Sequence, residues 1–144
     1  MNFLSGAVAV VGMVAFACVA ANPASAQDSS LTVELNKFET SETGGCQAFF
    51  LFRNESGRAF EGFEMSLAIL NQAGVIDRLL NIDAAPIPVA RTTLKLFEIP
   101  ETGCADISEI LVHAIETCKP QNEENMDCFP IIDLASRTSA ALVK

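Results

Sequence analysis

Five cysteines, one histidine and four methionines are the side chains through which this chain could hold a metal or carry covalent chemistry. The histidine, His113, lies between Val112 and Ala114 in an apolar run and reads as a strand histidine. As a general base it needs a carboxylate, and Glu109 or Glu116 supplies one only if the fold brings them close. A nucleophile would have to be oriented by such a base, and the chain has neither a Gly-x-Ser-x-Gly elbow nor a Gly-rich phosphate loop. His113 with Met65, Met126 and a cysteine would make a soft copper site. No local Met–His spacing supports it: Met65 falls in the phase of an alternating core strand and Met126 in a loop. The expectation is a protein that is not an enzyme, with no catalytic residue, no metal ligand and no cofactor.

The cysteines point to structure instead. Cys18 lies in the apolar leader, and Cys46, Cys104, Cys118 and Cys128 remain as an even set. In an oxidising compartment an even set reads as a disulfide framework, for which four cysteines allow three connectivities. The polar loop between Cys118 and Cys128, with Pro120, Asn122 and Asn125, can fold back on itself, which favours Cys118–Cys128 and leaves Cys46–Cys104. The second bridge would close a long loop and contribute about 4 kcal/mol in the chain-entropy account. A zinc site is disfavoured because the usual Cys-x2-4-Cys knuckles are missing.

Residues 3–21 are almost wholly apolar and uncharged, and are followed by Pro23 and then Ala24-Ser25-Ala26, the small-x-small form that signal peptidase accepts. Residues 1–26 are therefore expected to be a signal peptide, cleaved before Gln27, with a retained membrane anchor as the alternative. No Arg-Arg pair marks the twin-arginine route. Cys18 is not expected to be lipidated, because Ala15-Phe16-Ala17 lacks the usual Leu three residues earlier. Removing residues 1–26 of 144 leaves 118, a single domain at 27–144. All charged residues fall in that part, which carries the net charge of −9. Such a surface repels phosphate backbones and anionic headgroups, so neither nucleic acid nor a membrane surface is an expected partner.

The elements that position these residues are short strands. Residues 31–38 alternate apolar and polar with period two. Residues 46–54 form a second strand, opening at Cys46, with Ala48, Phe50 and Phe52 on one face and Phe49 and Leu51 on the other. A third, 63–70, puts Phe63, Met65, Leu67 and Ile69 together. Asn71-Gln72-Ala73-Gly74 makes a hairpin in which Gly74 can take a positive φ. Strands at 75–82 and 91–99 follow, separated by Pro86 and Pro88, which exclude their segment from a central position. Residues 105–117 are ambiguous between helix and strand; Asp106 with Glu109 resembles a capping box, and the expectation is one helical turn at 105–109 and then a strand. The tail, residues 129–144, has Pro130 and an apolar patch at 140–143 and reads as a last, marginal strand. Six to seven short strands with Gly, Asn and Pro turns describe an all-β, antiparallel, immunoglobulin-like β-sandwich.

A resemblance agrees with that architecture. Phe50-Leu51-Phe52-Arg53-Asn54, then Ala68-Ile69-Leu70-Asn71-Gln72-Ala73-Gly74-Val75, then Pro86-Ile87-Pro88-Val89-Ala90-Arg91-Thr92 before Leu94-Lys95-Leu96-Phe97, resemble the immunoglobulin-like envelope domains of the FxLYD type. Phe52 stands where that type usually has Tyr. The chain also resembles small exported proteobacterial proteins of unassigned role that share a cysteine before the aromatic strand and three nearer the C-terminus. The likeness covers most of residues 31–118, and it implies a fold and a periplasmic or secreted location, with no active residues.

The functional expectation is a non-catalytic accessory or protein-interaction domain of an envelope complex. Its candidate surface is Arg53, Asn54, Glu55 and Arg58 at the polar end of the second strand, together with Phe49 and Leu51, although packing under the C-terminal segment is the favoured expectation for those two. Exposed apolar side chains on an outward face are what marks an interface. The alternatives are a secreted inhibitor of an envelope hydrolase, inserting the loop at 54–62 or 118–128, and a metal-binding or enzymatic protein centred on His113.

Overall fold

The computed structural model describes residues 30–144. The expected signal peptide lies outside the described residues. The strands are β1 (Leu31–Thr40), β2 (Cys46–Asn54), β3 (Phe60–Asn71), β4 (Ile76–Asp83), β5 (Thr92–Ile99), β6 (Ile107–Pro120), β7 (Ile132–Ser136) and β8 (Ala141–Val143). They form two four-stranded sheets, ordered β5-β2-β1-β7 and β4-β3-β6-β8. No helix among the described residues is long and apolar enough to cross a membrane.

Two-residue periodicity builds the core. Leu31, Val33, Leu35, Ala48, Phe50 and Phe52 line the inner face of the first sheet, and Phe63, Met65, Leu67, Ile69, Ile110 and Val112 that of the second, all buried. Phe52 meets Phe63 edge-to-face across the gap at 6.2 Å, and Phe60 extends the contact at 5.9 Å from Phe63. Such geometry adds about 0.5–1.5 kcal/mol per pair beyond the buried area. The β3–β4 hairpin forms at Asn71–Gly74 as the sequence implies, with Gly74 at φ 75° and the Asn71 side chain accepting from the Ala73 and Val75 amides.

Both disulfides pair as favoured. Cys46–Cys104 spans 58 residues and ties the start of β2, in one sheet, to the turn that leads into β6, in the other. Cys118–Cys128 closes the loop after β6, where the Met126 amide also returns to the Cys118 carbonyl.

Three expectations are revised. Residues 105–117 are strand from Ile107 onward; only Cys104–Asp106 form a single 3-10 turn, which has no side-chain cap. The helical signal came from irregular pairing with β3, where shifts after Glu64, Ser66 and Leu70 break the alternation of buried residues. Second, the tail supplies two strands, for eight among the described residues. Third, these two run parallel to their neighbours, β7 beside β1 and β8 beside β6, while the remaining pairs are antiparallel. The C-terminal segment thus extends both sheets at one side of the sandwich, and does not lie over Phe49 and Leu51 on the face of β2.

Candidate interaction surface

The register of the first sheet places its outward side chains on a grid. Phe49 sits between Lys37 on β1 and Leu96 on β5; Leu51 sits between Glu34 and Leu94; Arg53 sits between Thr32 and Thr92. Leu94 and Leu96 are 54% and 49% exposed, while Phe49 and Leu51 behind them are half-buried. Four large apolar side chains therefore form one block, rimmed by Arg53 and Thr92 at one end, Gln47 and Glu98 at the other, and Lys37 and Glu34 along the side. The Lys37 ammonium lies 5.2 Å from the centre of the Phe49 ring.

The block exists because the apolar residues of β5 change face along an unbroken strand. Phe97 and Ile99 point inward and pack on the core, which sends Thr93 and Lys95 inward too and leaves Leu94 and Leu96 outside. The Thr93 hydroxyl is buried without a hydrogen-bond partner among the described residues. Lys95 is half-buried and donates to the Ala85 carbonyl at 3.3 Å.

Beside the block, Glu34 carries a charge that is 2% exposed. Asn36 donates to its Oε1 at 2.8 Å, Arg53 to its Oε2 at 3.0 Å, and Arg137 approaches at 3.5 Å. These bonds, Asn36 first and Arg53 next, hold the carboxyl down at about 2, against the opposing effect of burial. Sequence reasoning passed Glu34 by, since an acid at an outward position of an alternating strand looks solvated. The signal was Arg53, which the pairing of β1 with β2 sets diagonally across from it.

The six residues expected to form the surface separate. Phe49, Leu51 and Arg53 share the outer face. Asn54 does not belong to any surface: it is 1% exposed, and its side-chain amide donates to the carbonyls of Arg58 at 2.7 Å and Pro88 at 3.0 Å. Its Oδ1 accepts from the amide and hydroxyl of Ser56. Asn54 is thus the clamp of the turn that follows β2, because a short amide can satisfy several buried backbone groups at once. Glu55 and Arg58 are exposed on that turn, where Arg58 pairs with Glu123 at 3.3 Å.

The groups considered for chemistry do not converge. His113 is exposed in a bulge, where pairing passes from Val112–Leu67 to Ala114–Ser66, and it bonds no carboxylate among the described residues. Met65 is fully buried, Met126 packs against the core, and all four cysteines after Cys18 are taken up in disulfides. No group of three or more His, Cys, Asp or Glu able to hold a metal ion occurs among the described residues. A shallow depression at the β3–β4 hairpin is lined by Asn71, Asp77, Glu101 and Thr102. Three of its polar groups are already tied together: Thr102 donates to Asp77, and Arg78 reaches Asp77 and Glu101.

No protein-family model matches the chain, so the FxLYD resemblance gains no support there, and no curated protein matches it by sequence. A solved structure, that of IrmA from Escherichia coli, is similar with a TM-score of 0.56 at 13% identity, over 73% of this chain and 90% of IrmA. That likeness concerns the fold alone.

Proposed function

We propose that this protein is a non-catalytic, disulfide-stapled interaction domain of the bacterial envelope, which binds a partner protein through the outer face of its first sheet. The observation that carries the reading is the apolar block in which Leu94 and Leu96 are exposed and Phe49 and Leu51 lie half-buried behind them, beside a polar rim. An apolar centre with a polar rim is the anatomy of a binding face. Export is supported by the two disulfides, which persist in oxidising compartments. An immunoglobulin-like relationship is supported by the strand order: β5-β2-β1 faces β4-β3-β6, matching the placing of strands E-B-A against C′-C-F in such sandwiches.

The inhibitor reading is less well supported. The turn after β2 is clamped by Asn54, and the loop closed by Cys118–Cys128 exposes Gln121, Asn122, Glu123, Glu124 and Asn125 while Met126 turns inward. Neither loop presents the apolar anchor that an inserted wedge requires.

The test is capture of envelope proteins on the immobilised protein, set against a Leu94→Asp/Leu96→Asp variant of unchanged stability. A partner retained by the wild type and lost with the variant is expected. Identical capture by both proteins rules the face out.

A further inference from the structure

Resting on the proposed binding face, we infer that the partner engages the free edge of β5 by strand addition, through an extended segment that is apolar at alternate positions with a carboxylate between them. β5 is an outer strand of its sheet, bonded only to β2 among the described strands. Every second residue therefore turns its N–H and C=O away from the sheet, a template for another strand. Sandwich edges are normally blunted by proline, bulges, short length or inward charge. The edges at β7 and β8 are five and three residues long. β5 runs for eight residues without proline, and its register with β2 has no shift. Its charged side chains are Lys95, the one turned inward, and Glu98, which lies on the outer face and accepts from Thr43.

Lys95 is also the recognition element. β4, the other long edge, carries an inward cation as well, but Arg78 is neutralised by Asp77 and Glu101. Lys95 is half-buried, bonds a neutral carbonyl and has no carboxylate at ion-pair distance among the described residues. A strand laid along β5 puts one set of its side chains beside Leu94 and Leu96 on the outer face. The other set falls next to Lys95 at the mouth of the sandwich. Apolar residues on the first set extend the block of Phe49 and Leu51, and an Asp or Glu in the second pairs with the ammonium. Main-chain bonds supply affinity and the alternating contacts supply choice, as in other strand-addition complexes. A second copy of this chain fits worse: two-fold pairing of β5 with itself about its middle brings the Lys95 side chains together, and two chains of net charge −9 repel.

The test is selection of displayed random short segments on the purified protein, followed by amide exchange of the bound state and by Lys95→Glu, Lys95→Gln and Leu94→Asp variants. The expected result is enrichment of segments that alternate apolar residues around a carboxylate, with new protection on alternate β5 amides. Lys95→Glu then weakens such segments about tenfold and turns the selected position basic, since an attractive pair becomes a repulsive one. Binding that protects no β5 amide and ignores Lys95→Glu, yet is lost in Leu94→Asp, overturns strand addition while leaving the binding face standing. Binding indifferent to every variant, or no enrichment at all, overturns strand addition and removes the face as its basis. A β5-protected dimer that forms with rising concentration overturns the heterologous partner in favour of a second copy.

Discussion

Arg53, on β2, donates to Glu34, on β1, at 3.0 Å, and the same carboxylate receives Arg137, just past the end of β7, at 3.5 Å. One buried acid thus ties three strands of the first sheet together immediately beside the exposed apolar block. Because the Glu34 carboxyl titrates at about 2 when folded against an ordinary 4.5, its contribution is complete above pH 4.5 and fades as the pH falls toward 2. Its partners are open to solvent screening, so the contribution is about 1–2 kcal/mol. Glu34→Gln should lose that stability at pH 7 and show a flatter stability profile between those pH values, measured by urea unfolding. A variant profile parallel to that of the wild type would contradict the ion-pair account.

The two disulfides should differ in weight. Replacing Cys46 and Cys104 by Ala should cost about 4 kcal/mol, and replacing Cys118 and Cys128 about 3, because the longer closed loop removes more unfolded-state entropy. Urea titration of the two paired variants gives the order. Alkylation with intact-mass measurement should find Cys46, Cys104, Cys118 and Cys128 reactive only after reduction.

Asn54→Ala should destabilise by about 2–3 kcal/mol, since it strands the Arg58 and Pro88 carbonyls and the Ser56 amide in a buried turn. Glu55→Ala and Arg58→Ala, on the same turn but exposed, should stay within about 0.5 kcal/mol. Thermal or urea unfolding of the three variants would show whether this turn is scaffold, as the hydrogen bonds imply. A near-neutral Asn54→Ala would return that residue to the surface.

Phe52→Ala should cost about 3–5 kcal/mol, because it opens a cavity where the two sheets meet and removes the edge-to-face contact with Phe63. Leu96→Thr, in an outward position on β5, should leave stability almost unchanged. If Leu96→Thr destabilised the protein comparably, the apolar block would be part of the core.

Much of this architecture was legible in the residues. β2 begins and ends where Cys46 and Asn54 place it, the inward face of Phe63, Met65, Leu67 and Ile69 follows from simple alternation, and the short polar loop after Cys118 indicates its own disulfide. What escaped depended on neighbours in space. β7 has five residues, follows Pro130, and lies parallel beside β1, so its half-buried side chains show no clean alternation. Asn54 looks like an exposed turn residue until Pro88 and Arg58 close around it. β5 showed its exposed block only as a change of phase, from Leu94 and Leu96 to Phe97 and Ile99, whose meaning depends on which pair faces the second sheet.

The outer face of the first sheet, with Leu94 and Leu96 exposed, is the proposed binding face. Site-specific photocrosslinking in the cell envelope tests it most directly, with the photoreactive residue at Leu96 or, as a control of similar exposure, at Leu79 on β4 (49% and 63% exposed). One discrete adduct from position 96, absent from position 79 and abolished by Leu51→Asp, is the predicted result. Equal labelling from both positions, or an adduct from position 79 alone, would contradict it.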